Sequence, residues 1–297
     1  MPNNNLENIL SSSAIPDDIS KEILKSILGV INYTPKIGIM GKSGAGKSTL
    51  INSLVGKEIC KTGSVGGCTR DTQEIMVPCG SRKLCFIDFP GVAENMDRNR
   101  EYANLYSENI KNLDIILWVI KVDDRANKDD EEFYNWLIQY YKKERILFVL
   151  SQCDKADPSR DFNYSLYRPG DKQKVIIEQN QQRIMNSFHV SSNMVIPVAC
   201  SFYDNKFDRY NIDLLLLRII KTVPKEARSS LLSSVDKDNV SSAAKEDAQS
   251  SFKSVVEDII NTVIDYAPIP QVAKGPLKKV VSYVTEKIEG LWDSIFG

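Results

Sequence analysis

Apolar positions follow two rhythms along the chain. Near the start Ile19, Ile23, Ile27 and Ile31, with Leu24 and Leu28 beside them, recur at helical spacing, which predicts one helix with a buried stripe and Asp17 or Asp18 as its cap. From Lys36 the pattern changes to short unbroken runs: KIGIM (36–40), EIMVP (74–78), KLCFID (83–88), DIILWVI (114–120), RILFVL (145–150) and MVIPVA (194–199). Runs of this kind suit strands buried on both faces. Helical periods fill the gaps near 47–55, 100–112, 129–143, 172–187 and 212–222. The alternation predicts an α/β chain with a doubly wound, mostly parallel six-stranded sheet. One strand is the exception. The second and third runs are joined by CGSR (79–82), a turn-sized connection that permits only antiparallel pairing.

Beyond Pro224 the rhythm stops. Eight serines between Ser229 and Ser251, with no strand pattern, predict a linker over 229–250. Two amphipathic helices follow: Phe252, Val255, Val256, Ile259, Ile260 and Val263 on the first, and Leu277, Val280, Val281, Val284, Ile288, Leu291 and Ile295 on the second. The expected organisation is therefore a polar segment and helix over 1–32, an α/β domain over 33–228, the linker, and a helical extension over 251–297. The apolar face of that extension, with Lys278, Lys279, Lys287, Trp292 and Phe296, suits docking back on the α/β domain; peripheral membrane contact or a partner is the alternative.

Composition narrows the function classes. With 38 basic and 39 acidic residues the net charge is -1, so there is no bulk basic surface for nucleic acid. The segment after Pro224 carries nine basic and eleven acidic residues and no GxxG loop, so it gives no strong nucleic-acid signal either. A single histidine, His189, excludes zinc sites built on histidine pairs. The six cysteines form no CxxC, and the N-terminus has neither a basic n-region nor an apolar h-region, so a reducing, cytoplasmic location is expected.

The chemistry concentrates in Gly41-Lys42-Ser43-Gly44-Ala45-Gly46-Lys47-Ser48, which matches GxxxxGK[ST] at a strand-to-helix junction. Glycines let backbone N–H groups converge on phosphates, and a helix N-terminus favours negative charge. Lys47 would bridge the β- and γ-phosphates, Ser48 would ligate Mg²⁺, and Thr49 continues the same first turn. Asp88-Phe89-Pro90-Gly91 ends a later strand 41 residues after Lys47. There Asp88 would hold Mg²⁺ through water, and the Gly91 N–H would bond the γ-phosphate. Between them lies Gly63-Ser64-Val65-Gly66-Gly67-Cys68-Thr69-Arg70, where Thr69, with Thr72 as reserve, would reach Mg²⁺ only when a γ-phosphate is present. Arg70 either steadies transition-state charge or is a solvated loop residue.

The set GKSGAGKSTLINSLVG, CTRDT, DFPGV and LSQCDK resembles the translation-factor class of P-loop GTPases in the Era-like branch. From LWVIKVDDRA through LFVLSQCDKADP the chain is most similar to small YfjP/YeeP-type bacterial GTPases, and the likeness covers roughly 33–228. The resemblance implies a GTPase fold, with GTP or GDP as ligand and Mg²⁺ as cofactor. It implies that Ser151-Gln152-Cys153-Asp154 is the base-reading motif, Asp154 accepting from guanine N1 and N2, although Ser151 and Gln152 stand where the family has Asn and Lys. It also implies that Ala199-Cys200-Ser201, ending the last strand, meets guanine O6 through the Cys200 backbone.

For hydrolysis the family pattern leaves choices open. Ras-like enzymes orient water with a glutamine after the DxxG glycine, whereas this chain has Val92. Relatives that hold potassium use a P-loop asparagine, and the corresponding residue here is Gly44. The same glycine occurs in septin- and GIMAP-like relatives that pair across the nucleotide face. A homodimer through that face, with Asp123-Asp124-Arg125 reaching across, is one expectation, and Glu94 and Asn95 are further water-orienting candidates. The resulting expectation is a Mg²⁺-dependent GTP switch with slow hydrolysis, catalysis falling to Lys47, Thr69 and Gly91. A scaffold that holds nucleotide with negligible turnover, or a P-loop ATPase, is the alternative.

Overall fold

The strands β1 (Lys36–Met40), β2 (Gln73–Cys79), β3 (Arg82–Asp88), β4 (Ile115–Lys121), β5 (Ile146–Ser151) and β6 (Val195–Pro197) form one sheet in the order β2-β3-β1-β4-β5-β6. The computed structural model that shows this describes residues 2–60, 73–79, 82–89, 109–124, 128–204 and 206–296. β2 and β3 are antiparallel, with Gln73 opposite Asp88 and Cys79 opposite Arg82; the other pairings are parallel. The α/β class, the sheet and the single antiparallel pair are as the apolar runs predict.

Period-two alternation divides the strands between two cores. Ile37, Ile39, Leu84, Phe86, Leu117, Val119, Leu147 and Val149 face one side. Met40, Cys85, Ile87, Ile116, Trp118, Ile120, Phe148 and Leu150 face the other. The second side is covered by α4 (Lys128–Leu137) and α5 (Asp171–Phe188), which pack Phe133, Tyr134 and Phe188 around Trp118. The first side is covered by α3 (Lys47–Val55), α6 (Ile212–Thr222) and a layer of helices from both chain ends: α1 (Pro2–Ser11), α2 (Asp17–Ile31), α7 (Lys225–Leu232), α8 (Ser242–Tyr266), α9 (Gln271–Glu289) and α10 (Trp292–Phe296).

That layer corrects two expectations, a polar start and a linker, and buries the C-terminal stripe as expected. Residues 2–11 are helical, because Leu6 and Leu10 lie on one face and are fully buried. Residues 229–250 are not an extended linker. Ser229, Ser230, Ser234 and Ser251 are buried, their small side chains letting helices approach closely while their hydroxyls find backbone partners or neighbours: Ser229 Oγ donates to Ala248 O at 3.1 Å and accepts from Trp292 Nε1 at 3.2 Å. The stripe of the C-terminal helices, including Trp292 and Phe296, is buried against this layer rather than left to a membrane. Among the described residues no helix is long and apolar enough to cross one.

Arg82, at the β2–β3 turn, fastens the layer to the sheet. Its Nε donates to Ile31 O at 3.0 Å, one terminal nitrogen donates to Ser233 Oγ at 3.2 Å, the other bonds Ile295 O, and the guanidinium lies 4.5 Å from the centre of the Phe296 ring. Burial lowers its pKa, yet the carbonyls that surround it satisfy the charge.

Boundaries also shift. The expected helix over 129–143 ends at Leu137, and of the one expected over 100–112 only the end lies within the described residues. The run over 194–199 divides: Pro197 has no N–H to donate and closes β6 at the sheet edge. A hairpin of β7 (Ala199–Tyr203) and β8 (Lys206–Tyr210) follows, with Cys200 opposite Arg209. Cys200 therefore lies in a hairpin strand instead of ending the sheet.

Candidate active site

Gly41 follows the last residue of β1, and the loop it opens closes onto α3. At Gly41, with φ +140°, a Cβ would stand 2.2 Å from Val119 O, so only glycine lets the loop press against β4. Gly46 is the N-cap of α3 in the left-handed region, φ 93°, and no side chain caps the helix. The first-turn N–H groups of Lys47, Ser48 and Thr49 are thus left for a ligand. Gly44, with φ +75°, has nothing within 4 Å of a Cβ position. The Lys47 ammonium folds over the loop, donating to Gly41 O at 2.8 Å and Lys42 O at 3.2 Å. Both acceptors are loop carbonyls, which a phosphate oxygen can replace.

Asp88 ends β3 opposite Ile39 of β1, and the next residue, Phe89, donates its N–H to Ile39 O at 3.0 Å. That pairing fixes the carboxylate beside the mouth of the loop. Among the described residues its Oδ1 is buried with no hydrogen-bond partner. Burial raises its pKa, and the Lys47 charge pulls the other way. An ionisable oxygen left this way costs free energy that a hydrated cation would relieve. The cradle, the ammonium and this orphan oxygen fit a Mg²⁺-nucleotide. Thr69, Thr72, Arg70, Gly91, Val92, Glu94, Asn95 and Arg125 lie outside the described residues.

The SQCD segment meets the same loop. Ser151 Oγ is 2.7 Å from Ala45 O and 3.2 Å from Ile120 O, so the hydroxyl braces the phosphate loop against β4. Gln152, left-handed at φ 56°, donates from Nε2 to Gly44 O at 2.8 Å and accepts from Lys155 Nζ at 2.8 Å. Asp154 is half-buried in the short turn Cys153–Lys155, and burial raises its carboxyl pKa. Gln173 of α5, fully buried, holds that turn by donating to Ala156 O at 2.7 Å. Cys153 N donates to Val198 O at 3.1 Å, which draws the segment leading to Cys200 alongside. Burial pushes the Cys200 thiol up to about 12, with Asp154 adding to the effect. Ser43, Gly44, Ala45, Gly46, Ser151, Gln152, Asp154 and Cys200 thus lie at or beyond the C-terminal ends of β1, β5 and β6.

Residues 36–152 match the model of the family described as 50S ribosome-binding GTPase. The uncharacterized protein YfjP of Escherichia coli K12 is 33% identical over 286 residues, 96% of each chain. The chain is an Era-like P-loop GTPase of the YfjP group. The uncharacterized YkfA of the same organism is 32% identical over 286 residues, again 96% of each chain. The tRNA modification GTPase MnmE of Campylobacter jejuni subsp. doylei is 30% identical over 202 residues, 66% of this GTPase and 45% of MnmE. The GTPase family model over residues 36–152 is what makes the chain a GTP hydrolase.

This GTPase also holds residues that motif reading passes over. Asn52 of α3 fixes the strand-ward chain by accepting from Ile59 N at 3.0 Å and Cys60 N at 2.8 Å and donating to Cys60 O at 2.8 Å. Asn239 Nδ2 donates to Ser53 O at 2.9 Å, and Asp236 N to Leu54 O at 2.9 Å, so the appended layer caps the C-terminus of the phosphate-loop helix. An asparagine between the apolar residues of Leu50–Val55 is the sequence signal for Asn52. Asp123 and Asp124, expected at a dimer face, pair within their own chain, with Lys121 at 3.2 Å and Lys42 at 3.6 Å.

Proposed function

We propose that this GTPase is a Mg²⁺-dependent GTP/GDP switch whose phosphates rest on residues 41–48 and whose base is read by Asp154. The observation that supports this most is the Oδ1 of Asp88, buried without a hydrogen-bond partner among the described residues, beside a phosphate loop whose lysine donates to the loop carbonyls of Gly41 and Lys42. Lys47 exchanges its bonds to Gly41 O and Lys42 O for β- and γ-phosphate oxygens, and the N–H groups of Gly44 to Thr49 converge on the β-phosphate. Ser48 and Asp88 are the residues that would hold Mg²⁺, the latter through water. When bound, the ion neutralises charge on the β- and γ-oxygens.

Thr69 and Gly91 complete the set in the resemblance to the family: Thr69 joins the cation when a γ-phosphate is present, and the Gly91 N–H receives that phosphate. Their engagement makes the segments that carry Thr69 and Gly91 nucleotide-dependent, which is the switch; of the expected stretches 60–76 and 91–104 the first stops short of Gln73, which β2 holds opposite Asp88. Asp154 accepts from guanine N1 and N2, a donor pair adenine lacks. The Ser151 hydroxyl supports guanine reading in place of the family's asparagine, because it braces the loop from the same position. Gln152 and Lys155 take the place of the family's lysine beside Gly44.

Turnover is slow in the isolated chain, since Val92 occupies the position of the water-orienting glutamine. Pairing across the nucleotide face would supply what is missing. The test is GTP turnover per site over a wide range of protein concentration. A rate that climbs with concentration supports pairing. A flat rate refutes it, and no turnover with tight GTP binding would make the chain a nucleotide-held scaffold.

A further inference from the structure

We infer that Asp130 is a positioning residue for the phosphate loop and acts through Lys42. The inference rests on the phosphate-loop reading above and adds to it a residue that the motif GxxxxGK[ST] leaves open. Lys42 is the second residue of the loop. Its backbone oxygen serves the cradle directly, accepting from Lys47 Nζ at 3.2 Å and from Ala45 N at 3.2 Å. Its side chain leaves the loop and ends 3.0 Å from Asp130 Oδ2 and 3.6 Å from Asp124 Oδ2.

The two carboxylates are not equivalent. The Asp124 side chain is 36% exposed, whereas that of Asp130 is 6% exposed and sits in the first turn of α4. A carboxylate in that position gains from the helix N-terminus, and its burial makes a charged partner at hydrogen-bond distance the condition for keeping it. α4 in turn is fixed in the aromatic core through Phe133 and Tyr134 against Trp118. A rigid helix therefore holds the outer limb of the loop by a charge-assisted bond, while Ser151 holds the inner limb at Ala45 O. With both limbs fixed, the carbonyls of Gly41 and Lys42 and the N–H groups beyond them keep the spacing a diphosphate needs before it arrives, which is preorganisation.

Asp130→Asn keeps the shape and removes the charge. The expected result is a KM for GTP and a Kd for GDP each raised about tenfold, the size of a lost charge-assisted bond, with kcat unchanged. Asp130→Glu should recover most of the affinity. A residue that merely stabilises the fold would lower the melting temperature and leave KM alone. Because Asp130→Asn also leaves Lys42 without its nearest partner, a second variant, Lys42→Met with Asp130→Leu, removes both charges of the pair together, so neither is left facing the other's empty place. It should fold normally and show the same tenfold loss. Wild-type affinity within twofold in either folded variant overturns the inference. Lys47→Ala in the same assay separates the two claims: if it binds GDP normally the phosphate-loop reading itself fails, and if it does not, the fate of Asp130 is decided by the other variants alone.

Discussion

Ser151→Ala removes one hydroxyl from the junction of the phosphate loop and the segment Ser151–Asp154. Ser151 is 5% exposed and Ala45, whose carbonyl it serves, is 3% exposed. The shorter of its two contacts, 2.7 Å to Ala45 O, is the one lost to the loop, since Ile120 belongs to a strand paired on both sides. Leaving a buried carbonyl without its donor costs about 1–3 kcal/mol. The empty volume is one oxygen, too small for a water to replace it. Part of the loss falls on the fold and part on nucleotide affinity, because the loop between Gly44 and Gly46 must hold the same shape in the bound state. The expected outcome is unfolding stability reduced by about 1–2 kcal/mol and a GDP affinity weakened roughly fivefold, with the preference for guanine intact. Urea unfolding and titration with a fluorescent GDP analogue measure both, and Ser151→Thr, which keeps the hydroxyl, should restore them. Unchanged stability together with unchanged affinity would refute the brace.

Other outcomes follow from the same geometry. Asp154→Asn should move preference from GTP toward xanthosine triphosphate in a competition assay; an unchanged preference would mean that SQCD does not read the base. Asp88→Asn should raise the melting temperature of the nucleotide-free protein at neutral pH while weakening Mg²⁺-dependent GTP binding. The sign follows from burial raising the Asp88 pKa: its ionisation disfavours the fold as pH climbs through the folded value, so the gain from Asn should be present at neutral pH and vanish in acid, below the value of the unfolded chain. A lower melting temperature for this variant at pH 7 would contradict the burial argument. Arg82→Ala should cost about 2–4 kcal/mol of stability, because it strips donors from Ile31 O, Ser233 Oγ and Ile295 O at once; a loss under 1 kcal/mol by chemical unfolding would show that the layer is held without it.

The parts of the molecule that were legible in the sequence are those where one physical requirement dominates a stretch of residues. Strands such as Ile115–Lys121 and Ile146–Ser151 are buried on both faces, so every position but the last is apolar and the run announces itself. The phosphate loop is legible because Gly41 and Gly46 meet conditions that a side chain cannot. What escaped is what depends on partners distant in sequence. Serine reads as a linker residue until α7 and α8 pack closely enough to bury Ser229 and Ser230. Asp130 reads as one of several acidic residues opening a helix, and only the fold brings it to Lys42. The β7–β8 hairpin did carry a local signal, aromatic residues flanking Asp204-Asn205, but it was masked by an apolar run that continues across Pro197 into Ala199. Ser151 shows the converse case. The residue departs from the family pattern, yet the function of bracing the loop survives in a shorter side chain, because the hydroxyl sits at the end of β5 within reach of Ala45 O.

The central claim, that the site binds GTP through its phosphate loop with Mg²⁺, is tested most directly by calorimetric titration of the wild-type protein with GTP and with ATP, each with Mg²⁺ and with chelator. The account predicts GTP bound more tightly than ATP, affinity lost on chelation, and no binding by Lys47→Ala. Equal affinity for the two nucleotides, or GTP binding that survives both chelation and the loss of the Lys47 ammonium, would contradict it.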